Sequence, residues 1–152
     1  MDRAGIGWAR ALFEAARPYS AGTAYVNFMP EDDLETMQQT LDLAVDLNCE
    51  FANFYAAMAY PGSALYRQAE QLGWALPPTW AGYSQHAVDS LPLPTNYLSA
   101  GEVLRFRDQA FRRYFEGQRY LDMVERTFGA DTVRQVHDML SVRLERQHAA
   151  VA

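Results

Sequence analysis

The chain has 152 residues, 49% hydrophobic and 13% aromatic, with a formal net charge of -6. That length and apolar content suit one domain with a real core and exclude a disordered chain. The acidic balance excludes non-specific nucleic-acid binding, and a single cysteine excludes an internal disulfide, a cysteine-held cluster and a thiolate zinc site.

In chain order, the N-terminal stretch carries charges at Asp2, Arg3, Arg10, Glu14 and Arg17 and no apolar core of signal-peptide type. No run approaches the ~20 apolar residues of a membrane span, so a soluble cytoplasmic protein without a membrane partner is expected. Residues 7–16 predict a short helix stopped near Pro18. Thr23 to Met29 is rich in β-formers and predicts a strand, ended by Pro30. Asp32 and Glu35 have capping-box spacing, which predicts a helix over 32–47 with Asp32 as its N-cap. Leu34, Met37, Leu41, Ala44 and Val45 form its buried stripe, and Asn48 suits the left-handed residue that ends it.

Phe51 to Ala57 is short and apolar on both faces, as a buried parallel strand at about 50–57 would be. Pro61 and Gly62 break it, Ser63 caps a helix through Leu72, and Gly73 ends that helix. Residues 74–98 hold Trp74, Trp80, Tyr83 and Tyr97 among Pro77, Pro78, Pro92 and Pro94. This predicts an ordered irregular loop, because those aromatics are costly to leave in water. Ser99 and Glu102 form a second capping box, opening a helix to about Phe115; further helices follow over 119–128 and 131–147.

The expected fold is α/β and helix-dominated. Two parallel strands are bridged by a right-handed crossover helix in a partial, barrel-like βαβα unit, with a C-terminal helical region behind it. One domain over 1–152 divides into an N-terminal helix and strand (1–30), βα units (31–73), the aromatic loop (74–98) and a helical tail (99–148). Two strands are stable only when helices cover them or a partner adds strands, so another protein completing the sheet, or an oligomer, is expected.

Little of the titratable chemistry stands out. Glu31, Asp32, Asp33 and Glu35 read as helix-start residues, and Asp42 and Asp46 share a helix face without a histidine. His86, His137 and His148 lack metal-site spacing, so no metal is expected; the last two read as exposed. His86, beside Tyr83, Ser84 and Gln85, is a candidate acid/base or substrate contact, against the alternative of a hydrogen-bonded loop histidine. Cys49 lacks a basic neighbour and reads as an ordinary half-buried thiol. The arginines at 105, 107, 112, 113, 119 and 126 alternate with Asp108, Glu116, Asp122 and Glu125, which predicts ion pairing on a wet helical surface; a docking face for an acidic partner is the other reading. Folding of the 74–98 loop over the strand ends is expected to make a concave surface lined by Asn53, Tyr55, Tyr60, Trp80 and His86, with the helix start at Gly62 and Ser63 offering backbone N–H groups to an anion. The alternative is that the loop only plugs the strand ends.

Three stretches carry a family resemblance: Pro30-Glu-Asp-Asp-Leu-Glu-Thr36, Tyr60-Pro-Gly-Ser63, and Trp80-Ala-Gly-Tyr-Ser-Gln-His86 through Leu104-Arg-Phe-Arg107. Through them residues 29–145 resemble the C-terminal part of radical SAM enzymes of the class with a cobalamin-binding domain. The resemblance implies S-adenosylmethionine as a cofactor, near the strand at Phe51 to Tyr55 and the loop at Tyr60 to Ser63. The family's CxxxCxxC loop is absent, and Asn27-Phe28-Met29 stands where the family has a glycine-containing strand end. The chain alone is therefore expected to hold no cofactor and to be non-catalytic. Gly7-Trp-Ala-Arg-Ala-Leu-Phe13 and Arg17-Pro-Tyr-Ser-Ala-Gly-Thr-Ala-Tyr-Val-Asn-Phe28 are similar to the C-terminal segment of berberine-bridge-type flavin oxidoreductases, which implies Tyr25 and Asn27 beside a flavin. Joining two partial families implies a fusion, a truncated gene or a coincidence. Three functions stay open: a radical SAM-like fragment inactive alone, a non-catalytic interaction module, and a small flavin-associated oxidoreductase module.

Overall fold

The computed structural model describes residues 3–18 and 21–149. In order they form α1 (Arg3–Ala16), β1 (Thr23–Phe28), α2 (Leu34–Leu47), β2 (Phe51–Ala56), α3 (Ala64–Leu72), α4 (Ala100–Phe115), α5 (Gln118–Phe128) and α6 (Ala130–Ser141), with a 3-10 turn at Ala81–Tyr83. The strands pair in parallel, from Thr23 opposite Phe51 to Phe28 opposite Ala56, and α2 connects them. The architecture is the expected helix-dominated α/β one.

Local chemistry sets the element ends. The N-cap of α2 is Asp33, one residue later than the spacing of Asp32 and Glu35 predicts. Asp33 accepts from the Thr36 N–H at 2.8 Å, and the Thr36 hydroxyl accepts from the Asp33 N–H at 3.0 Å. Asp32 is drawn off the cap because its carboxylate takes the Met29 N–H at 2.8 Å and the Thr36 hydroxyl at 3.0 Å, which closes the turn after β1. That turn also stops β1 at Phe28. Asn48 ends α2 in the left-handed region (φ 50, ψ 53), and Gly73 ends α3 at φ 67. The Ser99–Glu102 box opens α4 as predicted.

One face of the sheet is the core. Val26, Phe28, Phe54 and Ala56 pack against Met37, Leu41 and Ala44 of α2 and Val103, Tyr114 and Phe115 of α4. The Phe28 ring meets Phe106 edge-on at 5.2 Å, and Phe54 meets Tyr114 at 5.5 Å. Phe28 and Phe54 are each 1% exposed, burial worth about 2–3 kcal/mol apiece. Tyr120, Met123 and Val124 of α5 and Val136 of α6 close the far side. The Tyr114 hydroxyl donates to the Cys49 carbonyl at 2.6 Å, and burial pushes its pKa far above the tyrosine range. Cys49 itself is fully buried, not half-buried, and burial followed by the nearby Glu50 raises its thiol.

The opposite face of the sheet is open. Phe51 is 53% exposed and Tyr25 67%, with Asn27 and Asn53 exposed beside them. The expectation of a strand buried on both faces fails because, among the described residues, the core lies on the side of Phe54 and Phe51 has one aromatic neighbour, Phe128, at 5.9 Å. The last helix also ends at Ser141 instead of 147. Residues 142–145 are exposed and offer no buried stripe, and Arg146 is drawn elsewhere. Among the described residues no helix is long and apolar enough to cross a membrane.

Candidate functional site

Residues 74–98 fold back over the C-terminal ends of both strands. The Leu93 N–H donates to the Ala57 carbonyl at 2.8 Å, and the Asn96 N–H to the Pro30 carbonyl at 2.8 Å. Gln85 pairs along the edge of β2, its amide donating to the Ala56 carbonyl at 2.8 Å while its oxygen accepts from the Ala56 N–H at 3.2 Å. Tyr83, before Gln85, stacks on Tyr60 at 5.8 Å and is covered by Trp80 at 5.8 Å. Only one ring of that stack is hidden: Trp80 is 77% exposed and Tyr60 51%, and Tyr97 is 70% exposed elsewhere in the loop. Of the four loop aromatics expected to bury, Tyr83 is buried and Trp74 is half-buried against Ala59, Ala69 and Leu93, whereas Trp80 and Tyr97 stay in water.

The five residues expected to line one concavity divide. Asn53 and His86 share a cleft, whereas Tyr60 and Trp80 lie on the outer surface and Tyr55 is half-buried in the sheet. Gly62 and Ser63 stand at the start of α3, where the Ser63 hydroxyl accepts the Tyr66 N–H at 3.1 Å and the Gly62 carbonyl accepts from Arg67 at 3.0 Å. Tyr25 and Asn27 project from the open face of the sheet, outside the clefts described here.

The shared cleft, about 880 Å³, runs along the outer edge of β2. The Phe51 N–H bonds to Gly22 and the Ala57 N–H to Phe28, so odd-numbered backbone groups of β2 face β1 and even-numbered ones face away. On that outer edge Gln85 pairs with both groups of Ala56, and Arg107 Nε donates to the Phe54 carbonyl at 2.9 Å. The cleft begins beyond them, at Ala52 and Asn53. Phe111 and Phe115 of α4 form its apolar floor, with rings 4.7 Å apart, and Met139, Val142 and Leu144 form a wall.

Two arginines that the sequence reading left on a wet surface, or left out, are buried here. Arg107 is 3% exposed, with Nη1 donating to Asp108 at 2.8 Å and its guanidinium 5.7 Å from the Phe111 ring centroid. Arg146 grips both oxygens of Asp108 at 2.9 Å and donates to the carbonyls of Gln85 and Ala87 at 2.8 and 2.9 Å. It straps residues 142–149 across the loop and so forms the cleft wall. A signal for Arg107 was present, because it falls on the α4 stripe of Val103, Leu104, Ala110 and Tyr114 where an apolar residue is due. Arg146 has no such local signal. His86, at the rim, has its pKa lowered by partial burial and by Arg107 and Arg146, against a smaller opposite effect of Asp108. His137 is exposed as expected, and His148 is half-buried.

A second, more polar cleft of about 570 Å³ lies at the other strand ends, among Arg17, Glu50, Arg119 and Arg126. Arg17 and Glu50 face each other there at 3.6 Å. Among the described residues no group of three or more His, Cys, Asp or Glu is arranged to hold a metal ion. Nor does the chain's donor set fit a cysteine-held four-iron cluster, with one thiol in the sequence and that thiol buried.

Fold and cleft together define a helix-rich α/β chain built on a single parallel βαβ unit, with a side cleft outside its strand edge. No family model, curated protein or solved structure matches it.

Proposed function

We propose that the chain is a non-catalytic interaction module that completes its two-stranded sheet by pairing along β1, with a second copy of itself as the partner. The observation that carries this reading is the outer edge of β1. The backbone groups of Thr23, Tyr25 and Asn27 face away from β2, and their N–H groups have no partner among the described residues. Among the described residues the Tyr25 carbonyl receives one long 3.4 Å contact, from the Asn27 side chain. The edge of β2 is covered by Gln85 and Arg107, whereas Thr23–Phe28 has none of the charges or prolines that normally protect an edge. The segment is also self-complementary. Antiparallel pairing about Tyr25 gives every outward group of residues 23, 25 and 27 a partner and sets Tyr25 against its symmetry mate.

Sedimentation over a wide concentration range tests this. A dimer is expected, and Asn27→Pro should dissociate it, because that N–H points outward and its loss spares the β1–β2 ladder. Tyr25→Lys should do the same by setting like charges across the axis. A chain that stays monomeric up to millimolar concentration removes the proposal.

The radical SAM resemblance supports a second reading, a fragment-like relative inactive alone. The β1–α2–β2–α3 order over residues 23–72 favours it, being the alternation that such a strand-and-helix unit requires. S-adenosylmethionine would be its ligand. Production of 5'-deoxyadenosine after anaerobic iron-sulfide reconstitution would contradict the non-catalytic part of both readings, and flavin absorption bands would favour the flavin-associated alternative. A reducing cytoplasm fits the single buried thiol of Cys49.

A further inference from the structure

The cleft beside β2 sits on the opposite strand edge from the pairing surface and has its own chemistry. Its charged lining is three arginines, Arg107, Arg112 and Arg143, against two carboxylates, Asp108 and Glu116. Those carboxylates are engaged: Asp108 is held by Arg107 and Arg146, and Glu116 pairs with Arg112 at 3.0 Å. The surplus positive charge belongs to an acidic chain, so it is a local property of this cleft.

Arg107 supplies the specific feature. It is 97% buried by its 3% exposure, and Nε and Nη1 have partners, but Nη2 has none among the described residues. A guanidinium nitrogen that deep is costly to leave unpaired. It is also not sealed in protein, since Ser90 Oγ is the one fully enclosed unpaired side-chain polar atom among the described residues. Nη2 therefore keeps some opening to solvent, and Arg107 is among the residues that line the cleft. Around it the walls are apolar, from Phe111 and Phe115 to Met139 and Leu144. The volume of about 880 Å³ falls within the range of small-molecule sites, which pair such walls with a few placed polar groups.

We propose that this cleft binds a small monocarboxylate with an apolar body, its carboxylate on Arg107 Nη2 and its body against the Phe111 and Phe115 rings. The test is a titration of the full chain with phenylacetate, 4-phenylbutyrate and octanoate, each beside its primary alcohol, followed by amide NMR shifts and calorimetry. At least one acid is expected to move the amides of Asn53, His86 and Phe111 and to bind roughly tenfold tighter than its alcohol, the worth of a charge-assisted hydrogen bond. Arg107 also supports β2, so a variant there tests folding as much as binding. Leu144→Asp, on an exposed wall position, adds a negative charge without removing a hydrogen bond and should weaken the acid by a similar factor while leaving the fold intact. The proposal is overturned if no acid shifts those amides at millimolar concentration, if alcohols bind as well as acids, or if Leu144→Asp leaves acid affinity unchanged.

Discussion

Gln85 does with one side chain what a third strand would do at Ala56, donating to its carbonyl and accepting from its N–H. The residue is buried, so water does not replace either bond. Gln85→Leu leaves both backbone groups unpaired and is expected to lower unfolding free energy by about 2–3 kcal/mol, read by urea denaturation. Ser90 should behave oppositely. It is 0% exposed and its hydroxyl has no partner among the described residues, so Ser90→Ala is expected to raise stability by about 1 kcal/mol. A loss of stability in Ser90→Ala would mean that the hydroxyl is satisfied after all. Neither role is legible in the sequence, where Gln85 and Ser90 are ordinary loop residues. Their significance comes from partners far along the chain, and no local pattern encodes a contact between residues 56 and 85.

Helix ends were far more legible, because their chemistry spans three or four residues. Asn48, Ser63, Gly73 and the Ser99–Glu102 box were all readable. The cap of α2 falls one residue later than the spacing predicts because Asp32 and Asp33 both suit a cap, and the choice rests on the Met29 N–H donating to Asp32. These caps carry a pH signature. Hydrogen bonds from the Thr36 backbone hold the Asp33 carboxyl below the usual range, and bonds from Ser99 do the same for Glu102. A carboxylate with a depressed folded pKa adds stability above its unfolded pKa and loses it as pH falls through the folded value. Stability should therefore decline below the ordinary carboxylate range, and Ser99→Ala should flatten part of that decline. A variant with the same pH slope as the parent would show that the Ser99 hydroxyl does not hold Glu102, whose bond from the backbone N–H survives the substitution. His86 has the same sign in a higher window: its folded pKa lies below the ordinary histidine value, so the unfolded chain binds the proton more readily and stability falls as pH drops through that window.

At the scale of the whole molecule, the parallel βαβ unit was legible from alternation of element types, but the route of the last dozen residues was not. Helical propensity through Gln147 suggests a continuous α6, and long-range bonds centred on Arg146 override it. Arg146, with a side chain 4% exposed, bridges Asp108 on α4 and the carbonyls of Gln85 and Ala87. The Gln147 N–H adds a bond to the Val88 carbonyl at 2.8 Å. The strap thus ties α4, the strand-end loop and the cleft wall together. Arg146→Met should leave Asp108 short of a partner in a mostly enclosed site and cost about 3 kcal/mol, the lower end for breaking a buried pair. Adding Asp108→Asn should recover part of that loss, because the carboxylate left with Arg107 as its one charged partner is then gone, even though Arg107 loses its ion pair as well. Hydrogen exchange separates a local from a global effect. In Arg146→Met the Gln147 amide should open by local fraying and lose nearly all its protection, while the amides of β2 and α4 should lose only what the global destabilisation takes. If β2 and α4 open together with the strap, the clamp instead belongs to the cooperative core, and the cleft wall has no independent mobility.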